Sequence, residues 1–391
     1  MFPVFKLKNQ IKNYAWGSPD WIPELLGEEN PDKKPYAELW MGVHRDGQSQ
    51  IEYKGKTISL AELIEQDAEL YLGKGNTALP FLFKVLAADK PLSIQAHPNL
   101  EQAQAGFERE NNDEIPLAAP NRNYKDSNHK PEIICALTSF KAMAGFREIG
   151  EIRALLDAFG MEDLADLRAA LDLGLKEFLH ILFILPSAIR QRIRDRAVTH
   201  KGRLNERYSQ YRDVWETLAS FAEEYPSDPA VLSPLYLNLI FLEKGDAIFL
   251  PAGVLHAYLH GLGVELMANS DNVLRGGLTS KHIDRQELLH ILTFSAFKPE
   301  ILHPNPSKYP VKCKEFSLSV MKYPSTWMED GPAIVIVTCG KVVIVSLGEK
   351  DNEKSEESLK QGESAFIAAG NAEKLSLNGN FTLYIAGIGF M

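Results

Sequence analysis

Gln95 and His97 stand two positions apart in the stretch Leu92-Ser-Ile-Gln-Ala-His-Pro98. Read with a period of two, Leu92, Ile94 and Ala96 share one face of a strand, and Ser93, Gln95 and His97 share the other. An amide oxygen and an imidazole turned the same way offer two ligands to one metal ion. Pro98 ends the strand, and Asn99 with Gln102 predicts a capping box for a helix from about Leu100. Glu132 opens a further apolar strand, Ile133-Ile-Cys-Ala-Leu137. A carboxylate in that place is either a solvated strand end or a third ligand, and taken by itself the solvated end is the commoner case. Lys84 is the single charge in Pro80-Phe-Leu-Phe-Lys-Val-Leu86. A lysine there either snorkels from the strand end or sits beside Gln95 in a sheet.

The elements that must carry these side chains alternate along the chain. Residues 3–90 read as short strands and turns, with one helix opened by the capping box Ser59-Leu-Ala-Glu62. Residues 111–123 form a polar loop. From Ile149 to Tyr225 the apolar residues recur at helical spacing (Ile152, Leu155, Leu156 and Phe159, then Leu164, Leu167 and Leu171), with Gly160 and Gly174 as stops. This predicts a helical insert between two β segments. The charged run Arg190–Arg212 interleaves acids with its arginines and reads as a solvated helical face. Strands resume after Pro226-Ser-Asp-Pro229, and Gly245-Asp-Ala-Ile-Phe-Leu-Pro-Ala-Gly-Val-Leu-His256 follows. Its order of glycine, Pro-x-Gly turn and histidine resembles the second metal-binding motif of the cupin fold, a double-sheet jelly roll in which a strand turns its histidine inward. Gly362–Glu373 keeps the same offsets, with Ala368 for Pro251, Gly370 for Gly253 and Glu373 for His256. That echo predicts a second jelly roll without a metal, with Lys350–Lys360 as a charged hairpin tip.

Composition narrows the function classes. The 391 residues are 45% hydrophobic and 24% charged, with a net charge of −10, which argues against nucleic acid and anionic membrane surfaces as partners. The three cysteines, Cys135, Cys313 and Cys339, form no CxxC pair, so no disulfide framework or thiolate metal site is expected. Met-Phe-Pro-Val-Phe-Lys-Leu-Lys at the start does not read as a signal peptide, and no run of about 18 apolar residues is present. The expectation is a soluble, cytoplasmic, reduced protein.

The motifs together resemble those of type I phosphomannose isomerases along nearly the whole chain. They are Asn13-Tyr-Ala-Trp-Gly17, Ala37-Glu-Leu-Trp-Met-Gly42, Gln95-Ala-His97 and Tyr124-x-Asp-x-Asn-His-Lys-Pro-Glu132, followed by His256-Ala-Tyr-Leu, Glu265 and Ser270-Asp-Asn-Val-Leu-Arg-Gly-Gly-Leu-Thr-Ser-Lys281. The resemblance implies a mainly β chain with a helical insert. A metal-binding cupin domain would cover 1–147 and 230–300, a helical domain 148–229, and a second C-terminal jelly roll without metal 301–391. It implies one zinc ion per chain, held by Gln95, His97, Glu132 and His256. Two histidines and a carboxylate also suit Fe²⁺, so a cupin oxygenase stays open from ligand type alone, as does a non-catalytic sugar-binding cupin.

The implied reaction is aldose–ketose isomerisation of mannose 6-phosphate and fructose 6-phosphate through a cis-enediol, joining mannose use and GDP-mannose supply to glycolysis. Such a reaction needs ring opening, a proton moved between C1 and C2, and stabilisation of an enediolate. Arg275 takes the stabilising role, against a structural alternative in which it pairs with Asp271. His129 and Asp271 are expected to assist ring opening, and Lys130 to carry protons. Lys84 is the candidate for the phosphate, with Lys281 and Arg275 as competitors, while Tyr258 and Trp16 are expected to line the sugar pocket. The implied partner is a small phosphorylated sugar, with neither nucleic acid nor membrane, and the chain is expected to be a monomer. His44, His180, His200, His260, His282, His290 and His303 lack partners at ligand spacing and read as packing or surface residues.

Overall fold

The computed structural model describes residues 3–207, 209–346 and 355–389, with no side chains at 200, 201 and 203–207. The side chain of His200 and residues 350–354 of the Lys350–Lys360 tip therefore lie outside the described residues. The local signals hold where they are mechanistic. Ser59 and Glu62 form the capping box of the helix Leu60–Gln66, and Asn99 and Gln102 that of Leu100–Asn112. The first helix of the insert, Ile149–Phe159, ends on Gly160 at φ 68°, where glycine adopts the left-handed cap at least cost.

Three layers stack on one another. The middle layer is a ten-stranded sheet whose centre is the 13-residue strand His256–Ala268. The two halves of this strand pair differently. Its first residues lie against Ile94–Ala96 and Phe140–Phe146, and its later residues against Phe81–Ala88 and Glu132–Ala136, with a register break between Tyr258 and His260. One strand thus joins two halves of a strongly curved sheet, as a bulge permits.

Alternation along the strands explains which side chains reach the interior. Phe83, Val85, Ile133 and Cys135 pack outward against the C-terminal sheet, together with Ile334, Ile336 and Phe366. Leu86, Ala88, Ile134 and Ala136 face the opposite way, into the sheet's own concave core with Tyr258 and Phe140. Lys84 and Glu132 have the same parity as this second set, so the pleat turns both inward.

The C-terminal layer is a seven-stranded antiparallel sheet built around the long pair Ala333–Ser346 and Leu375–Gly387. Ile334 and Ile336 pack toward the middle layer, while Val335 and Val337 pack away from it around Trp327. The N-terminal strand Val4–Leu7 pairs with Ser364–Ile367 at the edge of this sheet. The chain start therefore belongs to the C-terminal layer, a departure from the boundary that puts all of 1–147 in the metal-binding unit. An edge strand exposes unpaired backbone groups, and a distant segment covers them here. The echo between the two glycine motifs is visible in the backbone: Gly253 and Gly370 have φ of 77° and 76°, and Gly245 and Gly362 of 96° and 83°. Glu373, however, sits in a turn at φ 59° rather than at the head of a strand.

Helices from Ile149 to Glu224 make the third layer, followed by a short turn Pro229–Leu232 and the helix Ser233–Tyr236 before strand Leu237–Leu242. Their apolar faces share one core with Ile94, Met143, Leu255 and Leu274 of the sheet, so the insert is fused to the sheet that carries the site. Cys135, Cys313 and Cys339 are all free. No described helix is long and apolar enough to cross a membrane.

Candidate metal centre and its cavity

His97, Glu132 and His256 meet inside the curved sheet, all three almost completely buried. Glu132 lies between the imidazoles, with Oε1 3.3 Å from His97 Nε2 and Oε2 3.3 Å from His256 Nε2. The outer nitrogens are held by main-chain carbonyls: His97 Nδ1 donates to Asn272 O at 2.7 Å and His256 Nδ1 to Val254 O at 2.9 Å. A carbonyl accepts only from N–H, so each ring carries its proton on Nδ1 and presents a lone pair at Nε2. Among the described residues, both Nε2 atoms and Glu132 Oε2 lack a hydrogen-bond partner, while Lys130 Nζ stands 2.8 Å from Oε1. Four acceptors converging in a buried site repel one another, and one ammonium on the Oε1 side still leaves both imidazole lone pairs facing inward for a further cation. The donor set, imidazole and carboxylate, is one that zinc accepts.

Register brings Gln95 beside this set. It stands opposite His256 on one side and opposite Arg275 on the other. Residues directly opposite in antiparallel strands share a face, so Arg275, Gln95 and His256 form a row across three strands. Residues 161 positions apart in the chain (256 − 95) become neighbours by pairing alone.

Electrostatics keep the centre ready for a cation. Burial alone would raise the Glu132 carboxyl, but Lys130, His97 and His256 hold it well below the ordinary carboxylate range; Lys130 Nζ is 2.8 Å from Oε1. Burial pulls His97 down from 6.5 to about 4. This carries a pH dependence for chelator-stripped protein. The unfolded imidazole binds a proton below pH 6.5 and the folded one only below about 4, so acidification through that window favours the unfolded chain. Urea midpoints of the stripped protein are expected to be level above pH 6.5 and to fall as pH drops toward 4. Flat midpoints across that range would contradict the neutral assignment.

The centre opens into a cavity of about 660 Å³. Lys130, Asp271, Arg275, Lys281, Trp16 and Lys84 all line it. Tyr258 lies deeper, fully buried beside His256 at 6.0 Å between ring centroids. Lys84 does not snorkel. It is buried in the strand interior, 3.0 Å from Glu265 and 3.4 Å from Glu38, and Glu38 also accepts from the Trp40 indole at 2.8 Å. Burial alone would lower the Lys84 ammonium, but Glu265 and Glu38 raise it well above the ordinary lysine range. Burial pushes the Glu265 carboxyl up.

Two placements correct the sequence reading. His129 is one residue from Lys130, and on an extended chain it points to the opposite side. It is absent from the cavity wall, and its Nε2 lies 2.8 Å from Glu315. The imidazole that meets Asp271 is His44, at 3.2 Å, alongside Arg45 at 2.9 Å. These partners hold the Asp271 carboxyl far below its usual range against the effect of burial. Arg275 therefore has no bridge to Asp271, and makes no ion pair among the described residues. No short-range signal in the sequence links His44 to Asp271, because the contact exists only through the fold.

Asn272 ties the centre to its approach loop. Its carbonyl orients His97, while its amide accepts from Lys125 N at 2.7 Å and donates to Asp126 O at 2.8 Å and Asn128 O at 2.9 Å. The two motifs Tyr124–Glu132 and Ser270–Lys281 are thereby held against each other.

Comparison with known proteins agrees with this site. Residues 4–149 match the family model for the type I phosphomannose isomerase catalytic domain. The mannose-6-phosphate isomerase of Escherichia coli is 39% identical over 403 aligned positions, covering 96% of this chain and 97% of that protein. The human mannose-6-phosphate isomerase is 32% identical, covering 96% and 95%. Among solved structures, a zinc-bound mannose 6-phosphate isomerase superposes with a TM-score of 0.88 at 36% identity, over 99% of this chain and 100% of that one. The Salmonella typhimurium enzyme bound to fructose 6-phosphate and zinc gives the same score, identity and coverage. With a buried His–Glu–His centre and full-length similarity of this kind, the chain belongs to the type I phosphomannose isomerase family.

Proposed function

We propose that the chain is a zinc-dependent aldose–ketose isomerase that interconverts mannose 6-phosphate and fructose 6-phosphate through a cis-enediol. The observation that carries this reading is the row Arg275, Gln95 and His256, of which Arg275 and Gln95 line one cavity together with Glu132 and Lys130. The Salmonella typhimurium relative, solved with fructose 6-phosphate bound, supports the substrate class. The layout of a cupin barrel, a helical domain and a second jelly roll belongs to the same reading; the curvature of the middle sheet around its own core supports it.

Zinc bound by Gln95, His97, Glu132 and His256 would polarise and fix sugar oxygens near C1 and C2. The remaining work falls to protein side chains. Asp271, held ionised by His44 and Arg45, is too weak a base to take up a proton, and assists ring opening by accepting a hydrogen bond from a sugar hydroxyl at the cavity wall. Glu265 is the buried cavity carboxylate whose affinity for a proton is raised, which suits a general base. Lys130, against Glu132, is the partner that carries the proton between carbons. Arg275, free of any acidic partner, meets negative charge as it develops on the enediolate.

The phosphate end is assigned to Lys281 rather than Lys84. Lys84 already faces two carboxylates. Lys281 lies near Arg275 and Lys125, and burial together with these like charges lowers its pKa. None of the three makes an ion pair among the described residues, so a dianion is the missing counter-charge. Lys281→Ala is expected to raise KM for mannose 6-phosphate by roughly 10- to 100-fold with kcat little changed, from the loss of one charged contact. An unchanged KM would return the phosphate to Lys84.

The function is tested by a coupled assay for fructose 6-phosphate from mannose 6-phosphate, with and without a chelator. Turnover that disappears on chelation and returns with zinc is expected. Sugar-phosphate binding without turnover, or oxygen consumption with iron, would replace this reading with one of the rivals.

A further inference from the structure

The loop that leads from Arg275 to Lys281 adopts a backbone shape that its own residues disfavour. After the bulge between Arg275 and Gly277, Gly277 has φ 141° and Leu278 φ 54°. A Cβ at Gly277 would lie 2.1 Å from the Ala230 Cβ, so only glycine lets the loop press this closely on the turn Pro229–Leu232. Leu278 is a branched, buried residue in the left-handed region that side chains of its kind rarely adopt. Such a conformation persists only when its surroundings hold it.

What holds it is a carboxylate from the far end of the helical insert. Asp228 Oδ2 accepts from Leu278 N–H at 2.7 Å, Thr279 N–H is directed at the same carboxylate, and Oδ1 accepts from Ala230 N–H at 2.9 Å. Three main-chain donors, two of them on the strained loop, thus converge on one side chain. The next residues, Thr279, Ser280 and Lys281, line the cavity, whereas Asp228 does not.

We infer that Asp228 is a positioning residue for the substrate phosphate. By fixing Leu278 and Thr279 it sets the path of the loop that presents Thr279, Ser280 and Lys281, without itself touching the sugar. The inference rests on the assignment of the phosphate to Lys281. It also gives the helical insert a part in binding: through Asp228, the segment that closes the insert templates one wall of the cavity.

The test compares Asp228→Asn with Lys281→Ala in the zinc-loaded enzyme. Asn keeps the size of the side chain but sets an amide N–H₂ against a backbone N–H. Expected for Asp228→Asn are a rise of about 10-fold in KM for mannose 6-phosphate, a kcat within about twofold of the parent, and unchanged zinc per chain. Inorganic phosphate, used as a competitive inhibitor, should weaken by a similar factor. A lowered melting temperature with KM and phosphate inhibition intact would overturn the inference, since a merely structural residue behaves that way. If Lys281→Ala alone raises KM and weakens phosphate, the role of Asp228 falls and the phosphate assignment stands. If neither variant moves them, the phosphate assignment falls and takes this inference with it. Asp228→Ser, which retains a short acceptor for Ala230 but cannot reach Leu278, serves for the same comparison where the Asn variant does not fold.

Discussion

Replacing Glu132 with Gln is expected to empty the centre and stop the reaction. The carboxylate supplies the only formal negative charge among the proposed ligands and stands within 3.3 Å of both free imidazole nitrogens. An amide of the same shape removes that charge and points an N–H₂ group at one of the two lone pairs. Metal affinity should fall by at least about 100-fold, and turnover on the order of 1,000-fold as the transition state loses several kcal/mol of charge stabilisation. The fold should survive in the metal-free protein, because the new N–H₂ can donate to a nitrogen that otherwise has no partner. Zinc per chain by elemental analysis, with circular dichroism to confirm folding, checks both parts. A variant that keeps one zinc and full turnover would remove Glu132 from the ligand set.

Lys84→Met should act first on stability. Lys84 is buried between Glu265 and Glu38, and the indole of Trp40 satisfies the second oxygen of Glu38. Removing the ammonium leaves two carboxylates facing each other in a poorly hydrated interior. Breaking a buried ionic cluster in this way costs about 3–5 kcal/mol. The sign of the pH dependence follows. Glu265 already holds its proton more tightly when folded, chiefly through burial, and loses its main compensating charge in the variant. The folded variant then binds more protons than the unfolded chain, so its deficit should shrink as pH falls from 7 toward 5. Urea denaturation at both pH values, with Lys84→Met/Glu265→Gln as the charge-matched companion, provides the measurement. A deficit that stays constant with pH, or a companion no more stable than the single variant, would show that Lys84 is not the keystone of a buried charge network.

These two cases mark how far residue patterns reach. Glu132 opens a strand, and its inward direction follows from a period of two once the apolar run after it is assigned to a two-sided sheet. Lys84 obeys the same alternation, but its partners Glu38 and Glu265 lie on strands that pair with Phe81–Ala88 from either side. No spacing in the chain encodes that adjacency. His129 shows the opposite limit. It shares a motif with Lys130 and Glu132, yet the pleat sends it to the far side, toward Glu315 of a different layer.

The amino-acid sequence by itself determined the inventory: the ligand types and their two-residue spacing, the capping boxes, the glycine turns, the helical insert and the family whose motifs it carries. These are local properties, set by backbone geometry and side-chain chemistry within a few residues. Only the tertiary structure decided which charges meet: His44 with Asp271, Lys84 with two glutamates, Asp228 with a strained leucine. Antiparallel pairing and layer packing bring such residues together from positions well separated along the chain. In a buried cavity, the partner a charge meets decides whether it binds substrate or holds the fold.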